Sequence, residues 1–288
     1  MITGGAFALW AFLGAYFAAR VALGAEAELK TFLAWVAAAL LIGAGIVFAN
    51  WAYAIFTLSY TIDRNALTLR WGFRRVIVPI DTIQRMVPGR TLDPASVRGI
   101  NWWGCHVGSA DVKRIGFALF YSTHNTPDEL LFVVTTEESY ALTVIDQAAF
   151  AEEIQGRAAL GPVGRHIQRA TAHGIASFPF WRDRAAMAAA GATIVTCAAV
   201  CGYVYARYPS LAAVVEINFP SSGGVIRVGD KSQLLRIAHA SLGIGAVNLI
   251  LGVLAHSRER AAGLWLLSSG ALIQGVLLGA AILAFYRA

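Results

Sequence analysis

The groups through which this 288-residue chain could do chemistry are six histidines, three cysteines and seventeen carboxylates, and their spacing is unpromising for catalysis. Cys105 and His106 are adjacent, but two neighbouring ligands do not build a tetrahedral metal site, and no second pair stands at finger-like spacing. Cys197 and Cys201 are four apart in an apolar run, which places them on one helix face, so all three cysteines read as free thiols. His166, His173, Asp183 and His256 are the groups that an enzyme acting on lipid would draw on, yet their separations match no catalytic pattern. The chain has no G-x-S-x-G, H-E-x-x-H or G-x-x-x-x-G-K-[ST]. The expectation is no catalytic residue, no metal and no cofactor.

Binding groups are more suggestive. The turn "RWGFRR" puts Arg70, Arg74 and Arg75 near one rim. A guanidinium is a rigid fork of donors suited to phosphate, and lipid phosphates are the anions at hand beside a bilayer. The same residues also fit a solvated basic rim of the kind that flanks membrane spans. In "RGINWWGCHVGSADVKR", Trp102 and Trp103 fit an interfacial loop, since Trp favours the headgroup region, or an anchor for a partner subunit. Asn248 and Gln274 lie within apolar windows, where polar groups must face protein, so they are expected to bond between helices. Gly275 and Gly279 form a GxxxG pair that would let two helix backbones approach.

The elements that position these groups follow from composition and period. Hydrophobic residues make up 57% of the chain, charged residues 14%, and mean hydropathy is +0.60. A soluble domain carries about 25% charged residues, so a membrane protein is expected. Five windows suffice to cross hydrocarbon, at roughly 4–23, 32–53, 185–207, 234–255 and 262–285. The first lacks a basic n-region and is long, so it reads as a retained span rather than a signal peptide. No Asp or Glu lies in a span core, which argues against a pump or an ion-coupled carrier. Arg64, Arg70, Arg74 and Arg75 follow span two, Arg165, Arg169, Arg182 and Arg184 precede span three, and Arg258 and Arg260 separate spans four and five. By the positive-inside rule these segments are cytoplasmic. No basic run is long enough to suggest nucleic acid.

Between the second and third windows the period changes to two. "FTLSYTI" alternates, "DRN" turns, "ALTLRW" alternates back, "GFRR" turns again and "VIVPI" makes a third strand. A long insertion follows. Then come "IGFALFYST", "LLFVVTTEE" and "SYALTVI", and a helix beginning after the candidate N-cap Asp146 and stopped by Gly161-Pro162.

That order, on "YTIDRNALTLRWGFRRVIVPIDTIQRMV" and "VVTTEESYALTVIDQAAFAEEI", resembles a bacterial pleckstrin-homology (PH) domain. The resemblance implies a small β-barrel or sandwich closed by one C-terminal helix and used for binding. "VEINFPSSGGVIRVGDKSQLLRIAHASLGIGAVNLILG" is similar to a loop-and-helix segment of a family of bacterial membrane proteins of unknown function, with Asn218 standing where that family has His.

The expected fold is therefore a membrane α-helical bundle of five spans with an inserted PH-like domain. Two spans occupy 1–55, the cytoplasmic PH-like domain 56–162 and a linker 163–184. Three spans occupy 185–288, with an extracytoplasmic loop at 208–233. The expected role is non-enzymatic: a binding or scaffolding protein of the bacterial plasma (inner) membrane, partnered by membrane lipid and by other membrane subunits of a larger complex. A small transporter or channel, and a membrane enzyme acting on lipid, are the alternatives.

Overall fold

The computed structural model describes residues 2–102, 104–164, 166–216 and 228–287. Five helices are long and apolar enough to cross a membrane. They are α1 (Ile2–Leu23), α2 (Leu29–Phe56), α4 (Arg184–Arg207), α5 (Leu235–His256) and α6 (Arg260–Arg287), each close to its expected window. At about 1.5 Å per residue every one reaches the roughly 30 Å of a hydrocarbon core. Their outward faces carry large apolar side chains such as Trp10, Phe17, Leu40, Ile250 and Leu272, which in water would be an exposed greasy surface and in lipid are ordinary. A sixth helix, α3 (Gln147–Ala159), is shorter and amphipathic. The Asp146 carboxylate caps it by accepting from the Ala148 and Ala149 N–H groups.

The chain divides into two compact units. The first contains residues up to Trp10 and Ala44–Ser177. Its β-rich part starts with β1 (Ser59–Ile62), β2 (Ala66–Trp71) and β3 (Arg74–Pro79). These are antiparallel neighbours, and β10 (Arg169–Ala172) completes a sheet of order β1-β2-β3-β10. The stretch 163–184, expected as a linker, thus contributes an edge strand, and the chain enters and leaves the domain through the two outer strands of one sheet. "RATA" carries no alternating apolar signal, because only its backbone is needed to pair with β3.

The expected insertion is itself sheet. β4 (Ile83–Pro88), β5 (Arg98–Trp102), β6 (Cys105–Val112), β7 (Gly116–Ser122), β8 (Leu130–Thr135) and β9 (Ser139–Thr143) form a second sheet of order β4-β8-β9-β7-β6-β5. All its pairs are antiparallel except β7 with β9. The two sheets share a core of Leu67, Leu69, Val76 and Val78 with Tyr121, Val133, Tyr140 and Leu142, closed by Ile154 of α3. The opposite face of the second sheet packs Ala118, Phe120, Phe132 and Ala141 against Val97 and Leu92. Burial on both faces explains why "LLFVVT" is a continuous apolar run rather than an alternating one. Among the described residues the two sheets are not joined into one hydrogen-bonded barrel.

The second unit holds Ala11–Gly43 and Phe178–Ala288. Here α4, α5 and α6 pack on one another around Val204, Leu234, Ala238, Ala281 and Phe285 at one end and Phe180, Ala186 and Leu267 at the other. Close approach depends on Gly263, where an added Cβ would collide with the backbone and Cβ of His256. Gly275 and Gly279, expected as a packing pair, are exposed with nothing within 4 Å of a Cβ placed on either, so they are not the seam among these helices. α6 turns the Gln274 face inward, and residues one and five positions further on are rotated away. Two short strands, β11 (Val214–Glu216) and β12 (Val228–Asp230), pair antiparallel before α5. The loop between them, with Asn218, lies outside the described residues.

Candidate functional site

The β2–β3 hairpin turns through Gly72 and Phe73. Gly72 has φ 55° and Phe73 does not take a positive value, the pattern of a II′ turn with glycine leading. This tip is held to the last turns of α2. The Gly72 N–H donates to Thr57 Oγ1 at 2.8 Å, Thr57 Oγ1 donates to the Tyr53 carbonyl at 2.8 Å, and the Phe73 and Tyr53 rings lie 5.1 Å apart. A Cβ on Gly72 would come within 3.3 Å of the Ala54 methyl.

The hairpin register sorts the three arginines. Arg70 is directly opposite Arg75, whereas Arg74 is opposite Trp71. All three are exposed at one end of the hairpin, as expected, but they do not converge on one face. Successive strand residues point to opposite sides, so Arg74 leaves the face shared by Arg70 and Arg75. Arg74 points instead toward the core side, near the Tyr121 phenol, whose pKa burial raises while the Arg74 charge opposes the shift. Among the described residues none of the three arginines is in an ion pair.

The β5–β6 hairpin makes the second attachment. Trp102 packs its ring 6.2 Å from Phe7 of α1 and 6.5 and 6.0 Å from Phe48 and Trp51 of α2, and Phe7 stacks on Phe48 at 5.4 Å. Its side chain, expected at an interface or on a partner, thus packs within its own chain and stays 41% exposed. Trp103 lies outside the described residues. Beside it, His106 Nδ1 is 2.6 Å from Asn101 Oδ1, and Cys105 is buried, which pushes its thiol pKa up. Among the described residues no three His, Cys, Asp or Glu side chains come together as a metal site.

Besides the Thr193 hydroxyl, which donates to the Leu267 carbonyl at 2.8 Å, two larger polar ties hold the helices of the second unit. Gln274 is fully buried. Its Nε2 donates to the Ser241 carbonyl at 2.8 Å, and the Ser241 hydroxyl donates back to Gln274 Oε1 at 2.5 Å. The Asn248 side chain makes no hydrogen bond among the described residues, and its Cβ packs toward Gly270. The other tie joins residues far apart in sequence. Asp183 caps α4 by accepting from the Ala185 and Ala186 N–H groups. It also receives the Arg260 Nε at 2.6 Å and lies 3.1 Å from His256 Nε2. Hydrogen bonds from Arg260 and then His256 hold this carboxyl well below the usual carboxylate range, against a smaller opposing effect of burial. His256 is 4% exposed, its ring edge-on to Phe180, and among the described residues its Nδ1 has no partner. The sequence offered one sign of this cluster, an Asp directly before an apolar run. Nothing in it tied that Asp to "HSRER" more than seventy residues later.

An open cleft of about 640 Å³ lies where β4, β8 and β9 meet the start of α3. Its rim mixes Arg90 and His124 with Asp128 and Glu129, and His124 is 3.8 Å from Glu129. Opposite charges facing each other leave it without a preferred sign of ligand.

Residues 58–158 match the family described as Bacterial PH domain. The match takes in β1 through nearly all of α3 and leaves out β10 and all five long apolar helices, so the PH-domain segment is about a third of the chain. No curated protein and no solved structure matches the chain.

Proposed function

We propose that the chain is a non-catalytic, membrane-anchored binding protein. Its PH-domain segment is held at the cytoplasmic surface of the bacterial inner membrane, as an accessory or scaffolding subunit of a larger membrane assembly. The observation that carries the reading is the double attachment of the β-domain to helix ends, through Gly72 and Phe73 on one hairpin and Trp102 on another. Two hairpin tips fixed to apolar helices orient a binding domain, and a domain on a free tether needs no such contacts. The arginines flanking spans two and three support the cytoplasmic assignment. Extraction from the native membrane in mild detergent, followed by mass spectrometry of the intact particle, tests the idea. A stoichiometric protein partner is expected, and a chain that migrates alone would remove the accessory-subunit role.

Only the lipid-directed enzyme gains a specific observation among the alternatives, the meeting of Asp183 with His256 and Arg260. The Asp183 carboxylate is already saturated by two N–H groups, a guanidinium and an imidazole, and His256 is sealed from solvent. Such a group ties helices more readily than it moves protons. His166 and His173 belong to the other unit.

A further inference from the structure

Helices α5 and α6 carry one carboxamide each, Asn248 and Gln274, and their surroundings differ. Gln274 exchanges two hydrogen bonds with Ser241, and the nearby Thr193 hydroxyl finds the Leu267 carbonyl. Asn248 makes no such bond among the described residues. It is half-buried, and neither its Oδ1 nor its Nδ2 is enclosed, so the carboxamide opens onto the outer surface of the helices.

Depth makes that placement costly. The 22 residues of α5 span about 33 Å, and Asn248 lies about 4 Å from the midpoint. In a hydrocarbon core about 30 Å thick, either aqueous boundary is then on the order of 10 Å or more away. At a wet surface water would take up both polar atoms. Lipid tails offer neither donor nor acceptor, so the cost of the unmade bonds remains, and polar groups at this depth face protein. The face of α5 that Asn248 shares with Ile244 and Leu251 is otherwise apolar, and both neighbours are exposed, as is Val247 beside them.

A carboxamide is donor and acceptor at once, so two of them can satisfy each other reciprocally. Copies of one chain inserted in the same orientation, and related by a two-fold axis along the bilayer normal, hold residue 248 at equal depth. A two-fold contact also pairs a surface with itself. A second copy therefore supplies the missing group with no further condition, whereas a foreign helix would need a polar side chain matched in both depth and face.

We propose that the chain forms a two-fold dimer within the membrane through the Ile244, Asn248 and Leu251 face of α5, with the two Asn248 carboxamides hydrogen-bonded to each other. The inference rests on α5 crossing the bilayer and is independent of the scaffolding role.

The test is oxidative cross-linking of the full-length protein in its native membrane with copper phenanthroline. The wild-type chain, whose cysteines are buried or half-buried, is the blank. Leu251→Cys should yield a covalent species of twice the chain mass, and Leu272→Cys, exposed on α6, should not. Adding Asn248→Leu to Leu251→Cys should weaken dimerisation about tenfold, read from the covalent yield as the membranes are diluted with lipid, and Asn248→Gln in its place should restore it. The thermal midpoint of the Asn248→Leu monomer in detergent should equal that of the wild type, because the carboxamide bonds nothing within its own chain. No covalent dimer from Leu251→Cys overturns the proposal. So do equal yields at 251 and 272, a yield indifferent to Asn248→Leu, or capture of a different protein at 251. A chain that co-purifies with another protein yet gives no dimer through 251 would lose this inference alone and keep the scaffolding role.

Discussion

Asp183 shows how one side chain can serve several helices. It ends the loop before α4, caps that helix and binds both His256 and Arg260. Because its folded pKa lies below the unfolded value, its contribution to stability is present at neutral pH. That contribution is lost as pH falls from about 4 through the depressed folded value. Asp183→Asn should therefore lower the thermal midpoint in detergent at pH 7 and flatten the acid limb of a Tm-against-pH profile. An unchanged acid limb would mean that the tie does not form. Tyr60 carries the opposite sign. Burial pushes its phenol up to about 12, and its hydroxyl donates to the Tyr121 carbonyl at 2.5 Å. Its stabilising effect is complete below pH 10 and fades as pH rises toward 12. Tyr60→Phe should cost about 1 kcal/mol at neutral pH, read by urea unfolding of the β-domain, and should reduce the alkaline loss. Residues of this kind were poorly legible in the sequence. Asp183 stands directly before an apolar run, but its two partners come from a chain segment that only the helix packing brings near.

At the scale of elements, the apolar helices were readable as long apolar runs and the first strands by their two-residue alternation. Strand β10 was not, since "RATA" is an edge strand whose pairing is carried by backbone. The insertion before β7 was not either, since Arg98–Trp102 shows no clean apolar face. The arginine cluster was half legible. The turn located Arg70 and Arg75, but their separation from Arg74 follows from the register. The hairpin tip on α2 gives the sharpest prediction here. Gly72→Val forces a β-branched residue into a positive φ and toward the Ala54 methyl, at a cost of at least about 1–2 kcal/mol. Limited proteolysis should then cut near 57–59 faster than in wild type, while Phe73→Leu should remain resistant. Equal cutting of Gly72→Val and wild type would show that the tip is not anchored.

At the scale of the whole molecule, five long apolar helices and a domain rich in flanking arginine make orientation the property most open to measurement. The native cysteines suit the experiment, because Cys105 is buried and Cys197 and Cys201 lie within α4. If the domain is cytoplasmic as proposed, Glu152→Cys on the exposed side of α3 should react with a membrane-impermeant maleimide only after the membrane is opened. Labelling of intact spheroplasts would overturn the proposed sidedness.

The strand order β1-β2-β3-β10 has a mechanical meaning. The polypeptide comes in along one margin of this sheet and departs along the other, with two strands between, a separation of roughly 14 Å. Tension transmitted through the main chain would fall first on these marginal strands and would strip them from the sides before it disturbed the centre. The first casualties of such a pull would be the pairings of Ser59, Thr61, Arg169 and Thr171, which all ride on the strands that peel.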